Sequence, residues 1–355
     1  MLEKRVLLIS IATILFMGCL NVLSSSAAWA YLKTGDALSY SSRHLIYLIL
    51  SILFFSISYW LGTGFIKKFA LLALFFSLAL LGTVLIPGLR KEINFSKRWI
   101  DFFGISFQPS SIALSGFIIY SSCYFANLGK NINKIIRLIP HLIITLLSAV
   151  LIYLEPDFGS AVILVIIGLV FYFLAGVSWK KFVCISLPIL IIVLLSSIAQ
   201  PYRVKRIISF LNPDEHASYQ VTQSLEAIRA GGLLGQGIGK GKARLLYLPY
   251  SFSDFSFSVF LEETGFLGGL LIYFILGAIL YSGLRLASSS RDLFSMLYGS
   301  AVVIKLCLYA FINAGVSLSL LPAKGLPFPF LSYGGTFLLV TMAEMGFLLS
   351  IGREK

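Results

Sequence analysis

The sequence predicts an all-α integral membrane protein of about ten transmembrane helices, with a long extracytoplasmic loop between the seventh and eighth. Three observations carry that prediction. Of the 355 residues, 58% are hydrophobic and only 12% charged, about half the charge of an ordinary soluble domain. Apolar stretches of about 18 or more residues recur along the whole chain, each able to cross a bilayer as a helix. The short loops between them alternate in charge, in step with ten crossings. The wealth of Phe, Leu and Ile excludes disorder. Spans of about 20 residues leave little chain for a separate soluble domain, so residues 1–355 read as a single polytopic membrane domain.

In chain order, the spans are expected near Val6 to Leu23, His44 to Leu61, Phe69 to Ile86, Ser111 to Ala126 and Leu138 to Leu154. They continue near Ser160 to Ala175, Phe182 to Ile198, Phe257 to Tyr281, Phe294 to Gly315 and Phe330 to Ile351. The first follows Lys4 and Arg5 and superficially resembles a signal peptide, but its length and the spans after it make it an uncleaved helix. Only Glu155-Pro156-Asp157-Phe158-Gly159 separates the fifth and sixth, a tight turn at the membrane surface. With ten spans, Lys4 and Arg5, Lys67 and Lys68, Lys130, Lys134 and Arg137, Lys180 and Lys181, Arg285 and Arg291, and Arg353 and Lys355 all fall on one side. The acidic Glu155/Asp157 turn falls on the other. The positive-inside rule then places both termini in the cytoplasm.

The chain carries 28 basic against 15 acidic residues, a net +13. Part of that excess is topological, and the rest points to an anionic ligand or lipid. Nucleic acid is not expected as a partner, since there is no basic soluble domain to hold it. The four cysteines all lie inside apolar stretches, which leaves no extramembrane disulfide pair. Three histidines argue against a histidine metal centre. Two outer segments are basic: Arg90 to Ser110, and the longest non-apolar stretch, 200–255. They are either solvated loops or an anion site, and the clustering of positives around glycines favours the site.

Within 200–255, Tyr219 to Ile228 fits a short amphipathic helix. Gly231 to Lys242 is a glycine-rich turn whose N–H groups could approach an anion. It is not a P-loop, because neither Gly-Lys pair is followed by Ser or Thr. Asp254 sits where this loop meets the eighth span, a position that suits a general base, a cation ligand or a helix N-cap. Glu262, Glu263, Lys305 and Glu344 lie inside spans, where charges are costly and face protein. Leu321 to Thr336, with three prolines and three glycines, is not regular helix. It is either a surface loop or a re-entrant functional segment.

Taken together, Arg98-Trp99-Ile100, Gln108-Pro109-Ser110, Pro156-Asp157-Phe158-Gly159-Ser160, Gln223-Ser224-Leu225, Tyr247-Leu248-Pro249, Ser253-Asp254-Phe255 and Phe330-Leu331-Ser332-Tyr333-Gly334-Gly335 resemble the SEDS family. These are the FtsW, RodA and SpoVE proteins of shape, elongation, division and sporulation. The motifs stand in family order over nearly the whole chain. Lys324-Gly325 resembles the division branch, FtsW, more than the elongation branch, RodA. The resemblance implies a ten-span peptidoglycan glycosyltransferase that polymerises lipid II at the outer face of the bacterial cytoplasmic membrane, at the division septum. Its implied partners are a class B penicillin-binding protein and other division or elongation proteins.

The family's essential acid falls on Asp254, as general base or as ligand of a divalent cation. Substrate-binding candidates are Arg98, Gln108, Gln223, Ser224, Lys324, Ser332 and Tyr333 in the motifs, with Lys240, Lys242 and Arg244 in the basic loop. The chain departs from the family pattern at four places. Ser111 and Leu114 replace a Glu and a Lys after Gln-Pro-Ser, Phe252 replaces a His before the acid, and Tyr250 replaces a Glu. Two alternatives stay open: a lipid II flippase, with Lys305, Glu262, Glu263 and Glu344 lining a polar route, and a non-catalytic scaffold for a transpeptidase, which the lost Glu and Lys near residue 111 favour and the retained Asp254 opposes.

Overall fold

The computed structural model describes residues 2–86, 90–93, 96–102, 105–198, 200, 204, 206, 208, 219–243, 248, 251–322 and 324–353. Among these the helices are α1 (Leu2–Thr34), α2 (Ser39–Lys68), α3 (Ala70–Leu85), α4 (Pro109–Leu128), α5 (Ile135–Leu154) and α6 (Phe158–Leu174). They continue as α7 (Trp179–Ile198), α8 (Tyr219–Gly231), α9 (Ser256–Ser288), α10 (Leu293–Ser317) and α11 (Gly335–Ser350). Each expected span has its helix. Eight are long and apolar enough to cross a membrane, and α3 and α6 are apolar but shorter. The protein is a multi-pass, all-α membrane protein.

Local chemistry sets the ends. Pro109 opens α4 at a first-turn position, where its missing N–H costs nothing. Asp157 caps α6 by accepting from Ser160 N at 3.4 Å. Gly176, at φ +83°, ends the same helix in the left-handed region.

Several helix ends lie beyond the expected spans, α2 running Ser39–Lys68 and α9 reaching Ser288, and three further differences have a local cause. Helix α1 runs past Leu23 to Thr34, because its serine run satisfies itself: Ser25 Oγ donates to Asn21 O at 2.6 Å and Ser24 donates to Glu263. Helix α11 starts at Gly335 rather than Phe330, since Phe330 takes φ +64°. The segment after α3 is not a plain loop. It forms an antiparallel sheet of β1 (Arg90–Ile93), β2 (Ser96–Phe102) and β3 (Ile105–Phe107), in the order β1-β2-β3. Lys91 pairs with Trp99 and Ile100 with Phe107.

The chain divides into two compact units. The first comprises Met1–Leu50, Leu194–Ser282 and Leu306–Leu338. Its core holds Ala227 of α8, Phe255, Val259 of α9 and Val316 of α10, with Ala243 and Leu248. The second comprises Ser51–Val193, Gly283–Lys305 and Leu339–Lys355. There α3 packs along α4 and α5 along α6. Gly116 of α4 lies against Ala73 and Ser77 of α3, and Gly168 of α6 lies against Thr145 of α5. His141 is a core residue of this unit, bonded to Tyr172 Oη at 3.1 Å and Ser121 Oγ at 3.0 Å.

Candidate active site

In the first unit, the turn Ser251–Phe255 delivers Asp254 just ahead of α9. The loop before α11 wraps this turn. Asn313, a buried amide on α10, donates to Asp254 O at 2.9 Å and to Leu326 O at 2.6 Å, so one side chain ties the acid's backbone to the loop. Ser332 Oγ bonds to Ser253 O at 2.7 Å, to Ser256 Oγ at 2.5 Å and to Phe328 N at 2.8 Å. Tyr333 N donates to Phe252 O at 2.8 Å. From α1, Asn21 Nδ2 reaches Ser256 O at 3.2 Å and Leu331 O at 3.3 Å. Buried backbone groups must find partners, and here asparagine and serine side chains supply them where helix cannot.

The Asp254 carboxylate faces Gly325. A β-carbon built on Gly325 would fall 2.5 Å from Oδ2 and 2.9 Å from Cγ. The neighbouring Lys324 carries its Nζ buried. Tyr333 stacks edge-on with Phe252 and Tyr40, at centroid distances of 5.8 and 5.6 Å. Burial pushes the Tyr333 hydroxyl up to about 12, so it stays a hydrogen-bond donor. Phe252, which replaces a polar family residue, completes this aromatic cluster. The structure thus gathers Asp254, Lys324, Ser332 and Tyr333.

Ser224 and Gln223 lie on α8 of the same unit in different roles. Ser224 is fully buried and bonds Ser258 Oγ at 2.6 Å and Ser317 O at 2.7 Å, pinning α8 to α9 and α10. Gln223 is bonded to Glu226 at 3.0 Å on the exposed side.

The glycine-rich turn is spliced into α9. At Gly265, φ +69° and ψ −170° interrupt the helix. The carbonyls of Glu262 and Glu263, which would accept from residues four later, accept instead from Gln236 N at 2.9 Å and Gly237 N at 3.0 Å. The freed Phe266 N and Leu267 N donate to Gly232 O at 2.9 Å and Leu233 O at 3.2 Å. Gly231, Gly235 and Gly265 allow this approach, since a β-carbon on any of them would overlap facing backbone. The Glu262 carboxylate accepts from Lys242 N at 2.8 Å and Ala243 N at 3.0 Å. The anion held by these turn amides is the protein's own glutamate. Lys240 and Lys242 point to the exposed side. Arg244 lies outside the described residues, as do Arg203, Tyr247 and Tyr250.

In the second unit, Arg98 and Gln108 converge on Asp157. Arg98 Nη1 is 3.1 Å from Oδ1. Oδ2 accepts from Gln108 Nε2 and Ser110 Oγ, each at 3.0 Å, and from Ser160 Oγ at 2.7 Å. Glu155 is buried beside them with both carboxylate oxygens unpaired. Burial, reinforced by Asp157, pushes its carboxyl up to about 9, with Arg98 opposing. Ser111 and Leu114, at the family's Glu and Lys positions, are buried on α4. The charges within spans each have a local partner: Lys305 pairs with Glu344 in this unit, and in the first unit Glu263 accepts from Ser24 and Glu262 from the turn amides.

Sequence reasoning missed Asn313 and Asn21 as site-builders, and gave Gly325 and Asp157 only as motif residues without a role. For the asparagines the signal was a lone amide in an apolar helix, which is costly unless it binds something. Among the described residues no group of three or more His, Cys, Asp or Glu could hold a metal ion. A single carboxylate such as Asp254 still suits a Mg²⁺-like ion, which takes one or two carboxylates and keeps waters and phosphate oxygens.

A family model described as "Cell cycle protein", covering FtsW, RodA and SpoVE, matches residues 4–355. The chain is 33% identical to stage V sporulation protein E of Bacillus subtilis (strain 168), over 98% of this chain and 96% of that one. It is 35% identical to the probable peptidoglycan glycosyltransferase FtsW of Coxiella burnetii, over 96% and 94%. Its fold superposes with a TM-score of 0.80 and 25% identity on a chain from a study of polymerization and crosslinking by a peptidoglycan synthase complex, covering 98% and 97%. The Thermus thermophilus rod shape determining protein RodA gives a TM-score of 0.72 at 24% identity, covering 98% and 96%. The chain belongs to the FtsW/RodA/SpoVE family of cell cycle proteins.

Proposed function

We propose that this protein is a peptidoglycan glycosyltransferase that polymerises lipid II in cell division, with Asp254 as its acid–base residue. The observation that carries the reading is the Asp254 carboxylate, set against Gly325, whose chain neighbour Lys324 carries a buried Nζ. Near-full-length similarity to proteins named as peptidoglycan glycosyltransferases supports it.

In the reaction, the acceptor sugar hydroxyl attacks the donor's anomeric carbon. The new glycosidic C–O bond forms as the bond to the polyprenyl pyrophosphate breaks. Asp254 takes the hydroxyl proton, and the pyrophosphate leaves with the charge that the C–O bond pair gives it. Lys324 offsets that charge. A divalent cation, if bound, would be held by Asp254 and would neutralise the pyrophosphate. Ser332, Asn313 and Asn21 hold the Asp254 turn and the 324–334 loop in fixed register, so the base is positioned before substrate arrives. Arg98 and Gln108, organised by Asp157, form a polar cluster of the second unit with the chemistry to hold a substrate anion.

The protein is assigned to the bacterial cytoplasmic membrane with both termini inside and Asp254 outside. A class B penicillin-binding protein is its proposed partner, in keeping with the synthase complex among its structural neighbours. Purified protein mixed with lipid II, with and without the cognate penicillin-binding protein, tests the reading on a glycan gel. Glycan ladders are expected, stronger with the partner. Headgroup transfer across the bilayer without polymer would replace this reading with the flippase.

A further inference from the structure

The spliced turn raises a question that the catalytic reading leaves open: what its tip touches. Leu233, Leu234 and Ile238 are 62%, 75% and 61% exposed. They continue directly into the outward face of α9, where Phe266, Leu270 and Phe274 are exposed at 62%, 56% and 74%. A run of bare leucines on an aqueous loop would be a liability. On a membrane span the same face meets acyl chains.

Two helix measurements set the level of the tip. From Gly265, where the turn is spliced in, to the basic residue Arg285, α9 runs about 30 Å at 1.5 Å per residue. From Arg5 to Ser24, whose hydroxyl bonds Glu263 beside the splice, α1 runs about 28 Å. Each length matches the roughly 30 Å hydrocarbon core of a bilayer. With the basic ends at the cytoplasmic face, both place the splice at the outer edge of that core. Non-helical backbone at this depth needs partners for its polar groups, and the exchange with α9 supplies them to Gly232 O, Leu233 O, Gln236 N and Gly237 N at the base of the turn. Immediately after the tip come Lys240 and Lys242, both exposed. The nearest carboxylate, Glu262, is already taken by the Lys242 and Ala243 amides. The tip is therefore apolar at its end and positive above it, the pattern of an interfacial anchor on anionic lipid.

We propose that residues 232–242 are a membrane anchor, with Leu233, Leu234 and Ile238 in the outer-leaflet acyl chains and Lys240 and Lys242 on anionic phospholipid headgroups. This departs from the sequence expectation that 200–255 lies wholly outside the bilayer. It does not depend on the glycosyltransferase reading.

Fluorescence quenching tests it. The four native cysteines are replaced by alanine, Leu234→Cys is labelled with bimane, and the full chain is placed in nanodiscs of phosphatidylglycerol and phosphatidylcholine. Phospholipid brominated near the top of its acyl chains should remove most of the emission, and aqueous iodide should have little effect. A probe at Asp36→Cys, on the exposed α1–α2 turn, should show the reverse. Ile238→Cys repeats the measurement should the first variant fold poorly. Brominated phosphatidylglycerol should quench more strongly than brominated phosphatidylcholine, and Lys240→Gln with Lys242→Gln should abolish that difference. Iodide quenching at Leu234→Cys equal to that at Asp36→Cys would overturn the anchor. Loss of bromolipid quenching on adding polyprenyl pyrophosphate would overturn the assignment to bulk phospholipid and give the surface to a polyprenyl chain.

Discussion

Gly325 stands so close to Asp254 that any side chain there would strike the carboxylate, its first carbon lying 2.5 Å from Oδ2. The contact joins two segments separated by the whole of α9 and α10, and it makes a glycine the floor of the candidate site. Gly325→Ala should therefore displace the carboxylate while leaving the helices intact. Polymerisation on a glycan gel should fall by about 10-fold or more, since misplacement of a catalytic group by about 1 Å costs up to 10²-fold. Detergent-phase melting should stay close to wild type. Unchanged activity would mean that the carboxylate position does not matter.

Asp254→Asn keeps the size of the side chain and the backbone bond from Asn313, which uses the carbonyl rather than the carboxylate. The variant should fold and reach the membrane, yet lose polymerisation by roughly 10² to 10⁴. Near-normal glycan ladders from a well-folded variant would remove the acid–base role.

Asn313→Leu leaves the carbonyls of Asp254 and Leu326 without their shared donor. Each unpaired buried group costs about 1–3 kcal/mol, so the melting temperature should drop clearly. Activity should drop further than stability alone explains, because the same amide aligns the acid with the 324–326 segment. A variant with wild-type melting and activity would show that the amide is dispensable.

Lys305 and Glu344 form an ion pair inside the second unit, each nearly inaccessible to solvent. Lys305→Met alone leaves a buried charge and should destabilise by about 3–5 kcal/mol. Adding Glu344→Leu should recover most of that loss, because the pair's desolvation cost disappears with it. If the double variant is as unstable as the single, the two side chains do not act as a pair.

Glu155 sets a pH dependence. Burial, and then Asp157, raise its folded-state pKa from the ordinary 4.5 to about 9. The folded protein keeps this proton where the unfolded chain has lost it. The contribution to stability is full below about pH 4.5 and is lost as pH rises toward 9. Thermal melts across that range should show a decline that Glu155→Gln flattens. An equal slope in both proteins would place the titrating group elsewhere.

The ten-helix architecture was legible because apolar length and loop charge are strong local signals. Asp254 was legible only through its motif, since position alone left capping and chemistry open. The sheet at 90–107 was hidden by its basic residues, although its pairing places Trp99, Ile100 and Phe107 at ladder positions. The splice was harder to foresee. Glycines at 231, 235 and 265 read as turn residues, and no local pattern says that the first two meet the 261–264 backbone or that the third meets Leu233 and Gly235. Nor could spacing reveal that Glu262 would occupy the amides first read as a site for an external anion. Both depend on partners distant in sequence, where tertiary pairing decides and propensity is silent.

The exchange of bonds at Gly265 also bears on how this chain can change in length. Four backbone bonds tie 232–237 to 262–267, so deleting or inserting one residue between the paired positions of either stretch shifts donors off their acceptors. A linker-scanning series should find both stretches intolerant, whereas an ordinary surface turn accepts an added residue at a cost that grows only slowly with length.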